Sequence, residues 1–331
     1  MNNQVHSFED YQIGQQGKTV TRTVTEADLV NFACLTADYS RAHLDRHYMA
    51  NSIYGERVAH GLLGSSLVTG MLSIHAPHVL GRGVPGAYLY SFDANYRDAI
   101  KVEDTINIQW RVAKKASDPN HAGCGLVTTA FRVVNQEEVP IYDGTIAIVV
   151  PEKSANNTPP RLEPGKAWQI EEYIPDPDRI YYAEDYPPGK GGDTDGRTIT
   201  ETDIVNFTGL TGDYDPQYVD TEFAKKGMFG ERIAPPMLIF TIAFGLWTSV
   251  WDRYTRPKVS FAGHLTDAST FLAPVKIGDT IRCRYKNISS RSSKSKPEVG
   301  VNTFGLQVLN QRNEAVQDGY TIMMIGSKAG H

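Results

Sequence analysis

The segment Ala37-Asp38-Tyr39-Ser40-Arg41-Ala42-His43-Leu44-Asp45 sets a carboxylate and an imidazole five residues apart, close enough to share one loop. These two side chains exchange protons readily near neutral pH, so Asp38 and His43 are candidates for a general base and a general acid acting on one water. In the bland reading Asp38 caps a turn and His43 packs, and spacing alone does not separate the two. The other candidates are weaker. His43 and His47 stand four apart, as helical zinc ligands do, yet Leu44-Asp45-Arg46 between them supplies no H-E-x-x-H glutamate and the sequence offers no evident third ligand. Gly81-Arg82-Gly83-Val84-Pro85-Gly86 fits G-x-G-x-x-G, but it leads into the strand-like 87–90 instead of following a strand, so it reads as a turn. The glycine-rich run 189–196 lacks the Gly-Lys-Ser/Thr ending of a phosphate loop and reads as a linker. Lys114-Lys115-Ala116-Ser117 and Arg291-Ser292-Ser293-Lys294-Ser295-Lys296 read as solvated hairpin tips, with a contact to a phosphorylated ligand as the alternative.

The elements that must position these residues occur twice. Thr25-Glu26-x-Asp28-x-Val30-Asn31-Phe32 returns as Thr200-Glu201-x-Asp203-x-Val205-Asn206-Phe207, an offset of 175 residues. Without a gap, 15 of the 37 positions from Thr25 to Gly61 are identical to those from Thr200 to Pro236, far beyond coincidence. The same offset relates Glu9-Asp10-Tyr11 to Glu184-Asp185-Tyr186, Asp104-Thr105-Ile106 to Asp279-Thr280-Ile281, and Asp143-Gly144 to Asp318-Gly319. The chain therefore reads as two copies of one unit, residues 1–150 and 183–331. They are joined over 151–182 by a stretch whose Pro151, Pro159, Pro160, Pro164, Pro175 and Pro177 forbid continuous regular structure.

Within each unit Thr25 or Thr200 is placed to cap a helix, with Asp28 or Asp203 near its positive end. Residues 58–81 contain no Lys, Arg, Asp or Glu, and neither do residues 233–251. Pro235-Pro236 breaks one of these as a membrane span, and Gly, Ser, Thr and His dilute the other. A helix enclosed by its own sheet meets the same facts. The later parts of each unit show the short β-branched and aromatic runs of antiparallel strands. The expectation is an α+β fold: an antiparallel sheet wrapped around one long central helix, twice.

Composition narrows the rest. With 331 residues, 40% hydrophobic, and a net charge of −5 from interspersed residues, the chain has ample core and no basic field for nucleic acid. Cys34, Cys124 and Cys283 lie far apart without a C-x-x-C, and the N-terminus shows no signal-peptide pattern, so a reducing, cytoplasmic setting without membrane insertion is expected.

With Gly55-Glu56-Arg57-Val58-Ala59-His60-Gly61-Leu62 following the Asp-x4-His segment, the chain resembles the MaoC-like dehydratases and (R)-specific enoyl-CoA hydratases. Their hallmark is a Gly-Asp-x-Asn-Pro-x-His-x-Asp loop, then a His-Gly step into the central helix of a hotdog fold. Asp38, His43, Asp45 and Gly61 fall on matching positions; Ala37 replaces the first Gly, and Ser40-Arg41 replaces Asn-Pro. The resemblance implies a double hotdog that hydrates a 2-enoyl-CoA to a 3-hydroxyacyl-CoA, or runs the reverse dehydration, without a cofactor or metal. It also implies that Asp38 and His43 hold the water and deliver OH and H to one face, while the Gly61 N–H receives the developing oxyanion. A hotdog thioesterase and a non-catalytic acyl-binding or assembly subunit remain as alternatives, and a homodimer of double-hotdog chains is compatible with the resemblance.

The second unit serves as an internal control. Asp38 corresponds to Asp213, but His43 becomes Tyr218, His60 becomes Pro235, and Gly61 becomes Pro236, which has no N–H to offer. One active site per chain is expected, in the first unit. Met237, Phe240 and Phe244 agree with a second half reshaped to accommodate an acyl group.

Overall fold

The computed structural model describes residues 7–118, 123–154, 162–173, 176, 179, 181–255, 261–294 and 296–330. Pro159, Pro160, Pro175, Pro177, Ser295 and the first six residues, on which expectations above rest in part, lie outside the described residues. The first half runs β1 (Gln16–Lys18), β2 (Arg22–Thr23), α1 (Glu26–Thr36), α2 (Arg41–Leu44), α3 (Arg46–Met49), α4 (Gly61–His75), then β3 (Tyr88–Tyr96), β4 (Thr105–Ser117), β5 (Cys124–Val134) and β6 (Pro140–Pro151). After β7 (Gly165–Lys166) and β8 (Glu171–Glu172) the order repeats: β9 (Lys190–Asp193), β10 (Arg197–Thr198), α5 (Glu201–Thr211), α6 (Pro216–Val219), α7 (Thr221–Lys226), α8 (Pro236–Thr255), β11 (Phe261–Phe271), β12 (Thr280–Ser292), β13 (Val299–Leu309) and β14 (Glu314–Gly326).

Local chemistry starts each first helix as expected. The Thr25 N–H and hydroxyl both donate to Asp28 Oδ2, at 2.8 and 2.9 Å, and Arg22 reaches Asp28 Oδ1 at 2.6 Å. Thr200, Asp203 and Arg197 repeat the arrangement. A side-chain acceptor satisfies donors that a helix N-terminus leaves open, and the carboxylate lies at the positive end of the dipole. The repeated Gly-Glu-Arg is structural too: Arg57 pairs with Glu26 and Lys101 with Glu56, while Arg232 pairs with Glu201 and Lys276 with Glu231.

From Leu62 to Ser73 every residue of α4 is buried, which accounts for its lack of charge. No helix among the described residues is long and apolar enough to cross a membrane. The two sheets are one. Strands follow the order β1-β4-β5-β6-β3-β11-β14-β13-β12-β9-β8, so β3 of the first half and β11 of the second meet antiparallel at the centre. Asp93 lies opposite Ala268 there, and these positions are 175 apart, so a local two-fold passes through that pair.

The halves also interlock through their helices. A Cβ on Gly70 of α4 would lie 2.0 Å from the Thr211 carbonyl oxygen at the end of α5, and one on Gly245 of α8 would lie 2.0 Å from that of Thr36 at the end of α1. Each central helix thus presses, through a glycine, on the loop that leaves the other half's first helix.

Candidate active site

That loop carries Asp38. After α1 the chain turns through Ala37, held in the left-handed region at φ 66°, where the second half has Gly212 at φ 87°. Thr36 donates its hydroxyl to Phe32 O at 2.8 Å and accepts the Asp38 N–H at 3.3 Å. Ser249 of α8 donates to Ala37 O at 2.9 Å. Asp38 is therefore fixed partly by the opposite half. Gly245→Ala is expected to push Thr36–Asp38 aside, costing about 1–3 kcal/mol of stability by overpacking and lowering kcat at least ~10-fold through a misplaced carboxylate. Gly70→Ala creates the same clash at Thr211, away from the dyad, and should destabilise the fold while leaving kcat within a few-fold. Equal kcat losses in melting-matched samples would show that the contact does not act through Asp38.

Asp38 is buried, and Ser40 donates to its Oδ1 from both the backbone N–H at 3.2 Å and the hydroxyl at 2.5 Å. Ser40, which departs from the Asn of the family loop, thus contributes two hydrogen bonds. His43 closes the first turn of α2 and points Nδ1 at Val58 O, 2.8 Å away. Only a protonated nitrogen satisfies a carbonyl, so Nδ1 carries the proton and the Nε2 lone pair remains for a ligand. His60, immediately before α4, places Nε2 3.0 Å from the Asp38 main-chain oxygen and lies between Phe32 and His43, with ring centroids 4.9 and 3.8 Å away. His60 and Ser40, which carry no assigned role in the sequence reading, both brace Asp38.

Burial opposes charge on Asp38, but His60, His43 and the Ser40 hydrogen bonds outweigh it and hold the carboxyl below the usual carboxylate range. Burial pushes both imidazoles down against the attraction of Asp38: His43 below its ordinary value and His60 to about 3. At neutral pH the site pairs a carboxylate with neutral imidazoles. Asp38, His43 and His60 bring one donor atom each within 4.8 Å of one another, a spacing that could also hold a cation. The His43/His47 pair has no helical spacing, because α2 ends at Leu44 and α3 begins at Arg46. Asp45 between them caps α3 through Tyr48 N at 2.8 Å and pairs with Arg41.

Gly61 is the first residue of α4, and its N–H finds no acceptor among the described residues. Asp38, His43 and Gly61 all line one cavity of about 340 Å³, whose other walls include Tyr96, Phe244, His264 and Met323. The cavity thus draws on both halves. Among the weaker sequence candidates, 81–86 form a turn with positive φ at Gly81, Gly83 and Gly86. Lys115 is committed to Tyr11 O at 2.7 Å.

In the second half Tyr218 stands in place of His43, and Pro236 opens α8. Burial and the neighbouring Asp215 push Asp213 up to about 7. A folded-state value raised above the unfolded one stabilises fully below the unfolded value of about 4, and that contribution is lost as pH rises through about 7. Asp213→Asn should therefore flatten the fall in melting temperature between pH 4 and 8, with turnover within a few-fold of wild type. A kcat loss matching that of Asp38→Asn would place chemistry in both halves.

Comparison with known proteins follows the same division. The MaoC like domain model matches residues 9–129 and again 185–306. A 3-hydroxybutyryl-CoA dehydratase of Methylorubrum extorquens is 27% identical over 146 residues, covering 44% of this chain and 85% of that protein. A putative MaoC domain protein dehydratase from Chloroflexus aurantiacus superposes with a TM-score of 0.79 at 16% identity, covering 99% of each chain. A Mycobacterium tuberculosis protein described as having a double hotdog fold superposes with a TM-score of 0.72 at 14% identity, over 96% of this chain and 98% of that one. The fold is a double hotdog.

Proposed function

The chain belongs to the MaoC-like family, and from that premise we propose that it is a lyase that adds water reversibly to a 2-enoyl-CoA, giving a 3-hydroxyacyl-CoA, at one site per chain made by Asp38, His43 and the Gly61 N–H. One observation carries the reading: an ionised carboxylate and a neutral imidazole of fixed tautomer share a cavity with a helix-start N–H that has no acceptor among the described residues. Two proton acceptors can hold one water by its two hydrogens and aim its lone pair at C3 of the substrate. As the C–O bond forms, the dyad takes one proton from water and the thioester oxygen gains the enolate charge. The Gly61 N–H, at the positive end of α4, stabilises that charge. The dyad then returns its proton to C2, so H and OH add to one face and the enzyme ends as it began. Dehydration is the same path in reverse.

The second half contributes walls in place of chemistry, since its proline removes the donor and its tyrosine removes the base. Residues of the second half, Phe244, His264 and Met323, already complete the cavity that holds Asp38 and His43, so a homodimer is not needed to build the site. Cys34, Cys124 and Cys283 are unpaired, in keeping with a cytoplasmic enzyme.

Incubation with crotonyl-CoA, followed by enoyl absorbance and by free thiol, tests the assignment. Loss of absorbance without thiol release, unchanged by a chelator, is expected. Thiol release with the double bond intact would identify a thioesterase, for which Asp38 would direct water at the carbonyl. Absence of both would leave acyl binding alone.

A further inference from the structure

A chain of polar side chains lines the cavity beside the dyad. His264 Nε2 lies 2.8 Å from Asp267 Oδ1 and 2.9 Å from Thr321 Oγ1. The Tyr96 hydroxyl donates to Asp267 Oδ2 at 2.9 Å and lies 2.9 Å from Ser65 Oγ. Asp267 is fully buried between these partners. A carboxylate there draws the ring proton of His264 onto Nε2, as in any Asp-held imidazole. Nδ1 has no partner among the described residues and opens on the cavity against Gly61, where an added Cβ would lie 2.9 Å from it.

The architecture does not require this chain of groups. At the 175-residue offset Ser65, Tyr96, His264, Asp267 and Thr321 correspond to Phe240, Phe271, Leu89, Phe92 and Ile146, all buried and apolar. The same fold fills the equivalent place with hydrocarbon, so the polar set answers to the ligand. Resting on the reading of the chain as an acyl-CoA hydratase, we propose that His264 determines specificity: its Nδ1 binds a hydrogen-bonding substituent on a compact acyl group, so the substrates are polar-substituted acyl-CoAs in preference to plain alkyl ones. The neutral ring would accept from a hydroxyl, and the protonated ring would donate to a carboxylate. An alkyl group seated there would strip water from Nδ1 and return no hydrogen bond, which is worth about 10–100-fold in binding.

Calorimetric titration with unreactive saturated ligands tests this without turnover: pentanoyl-CoA, 5-hydroxypentanoyl-CoA and glutaryl-CoA. Wild type is expected to bind at least one polar ligand about 10–100-fold tighter than pentanoyl-CoA, and the two polar arms identify which group is taken. His264→Leu installs the residue the other half carries and should abolish the preference; His264→Gln keeps a hydrogen-bonding group and should retain part of it. Equal or tighter binding of pentanoyl-CoA by wild type, or an intact polar preference in folded His264→Leu, overturns the assignment. Loss of crotonyl-CoA hydration in Asp38→Asn is read separately, so failure of the subsite is distinguishable from failure of the dyad.

Discussion

Asp38→Asn and His43→Gln are each expected to lower kcat by about 10²–10⁴, the worth of a positioned general acid or base. Neither should unfold the protein. Asparagine keeps the oxygen that Ser40 addresses, and His60 is anchored on the main-chain oxygen of residue 38, which the substitution leaves in place. Because both groups act on one water, the double variant should be little worse than the poorer single one. The pH profile gives a second readout. His43 must be neutral to accept from water, and burial holds it below its ordinary 6.5, while Asp38 is ionised from below 3.8. The acid limb of kcat/KM should therefore lie below pH 6.5, on a plateau that extends through neutrality, and should disappear in His43→Gln. Near-wild-type turnover in either variant, or strictly multiplicative losses, would mean that the water is activated elsewhere.

Gly61→Pro is expected to lower kcat by a further 10²–10³ relative to Gly61→Ala, the loss of about 3–4 kcal/mol that follows removal of one preorganised oxyanion donor. The comparison must be made in that form because alanine is no neutral control here. A Cβ on residue 61 meets His264 Nδ1 at 2.9 Å and Tyr96 Cζ at 3.2 Å, so any side chain displaces those rings. Both variants carry the Cβ crowding, and only proline replaces the N–H with a ring Cδ, so their ratio reports the loss of the donor position. Proline is well tolerated at the first position of a helix, and Pro236 already occupies that position in α8. Equal turnover by the two variants, with matching melting curves, would show that some other group polarises the thioester.

These outcomes rest on features that the sequence determined unequally. The caps at Thr25 and Thr200, the charge-free runs 58–81 and 233–251 and the repeat at 175 were legible from the chain itself, while Asp38, His43 and Gly61 were singled out together only by the family resemblance. A cap involves residues three apart, helix burial shows as an absence of charge along one segment, and a repeat compares the chain with itself. The lack of a backbone donor at Pro236 was legible too, since proline lacks an N–H in any fold. What the tertiary structure decided is how these parts are held. Asp38 depends on Gly245 and Ser249, more than 200 residues away, through a contact only the packed halves create. The merging of two sheets at β3 and β11 has no local signature, because strand pairing is set by which edges meet. His264 and Asp267 were invisible as a pair for a simple reason. On a regular strand, residues three apart face opposite sides, and here an irregularity in register between His264 and Thr266 accompanies their meeting at 2.8 Å. Whether a strand bulges, and what its side chains then touch, is decided by long-range packing and not by local propensity.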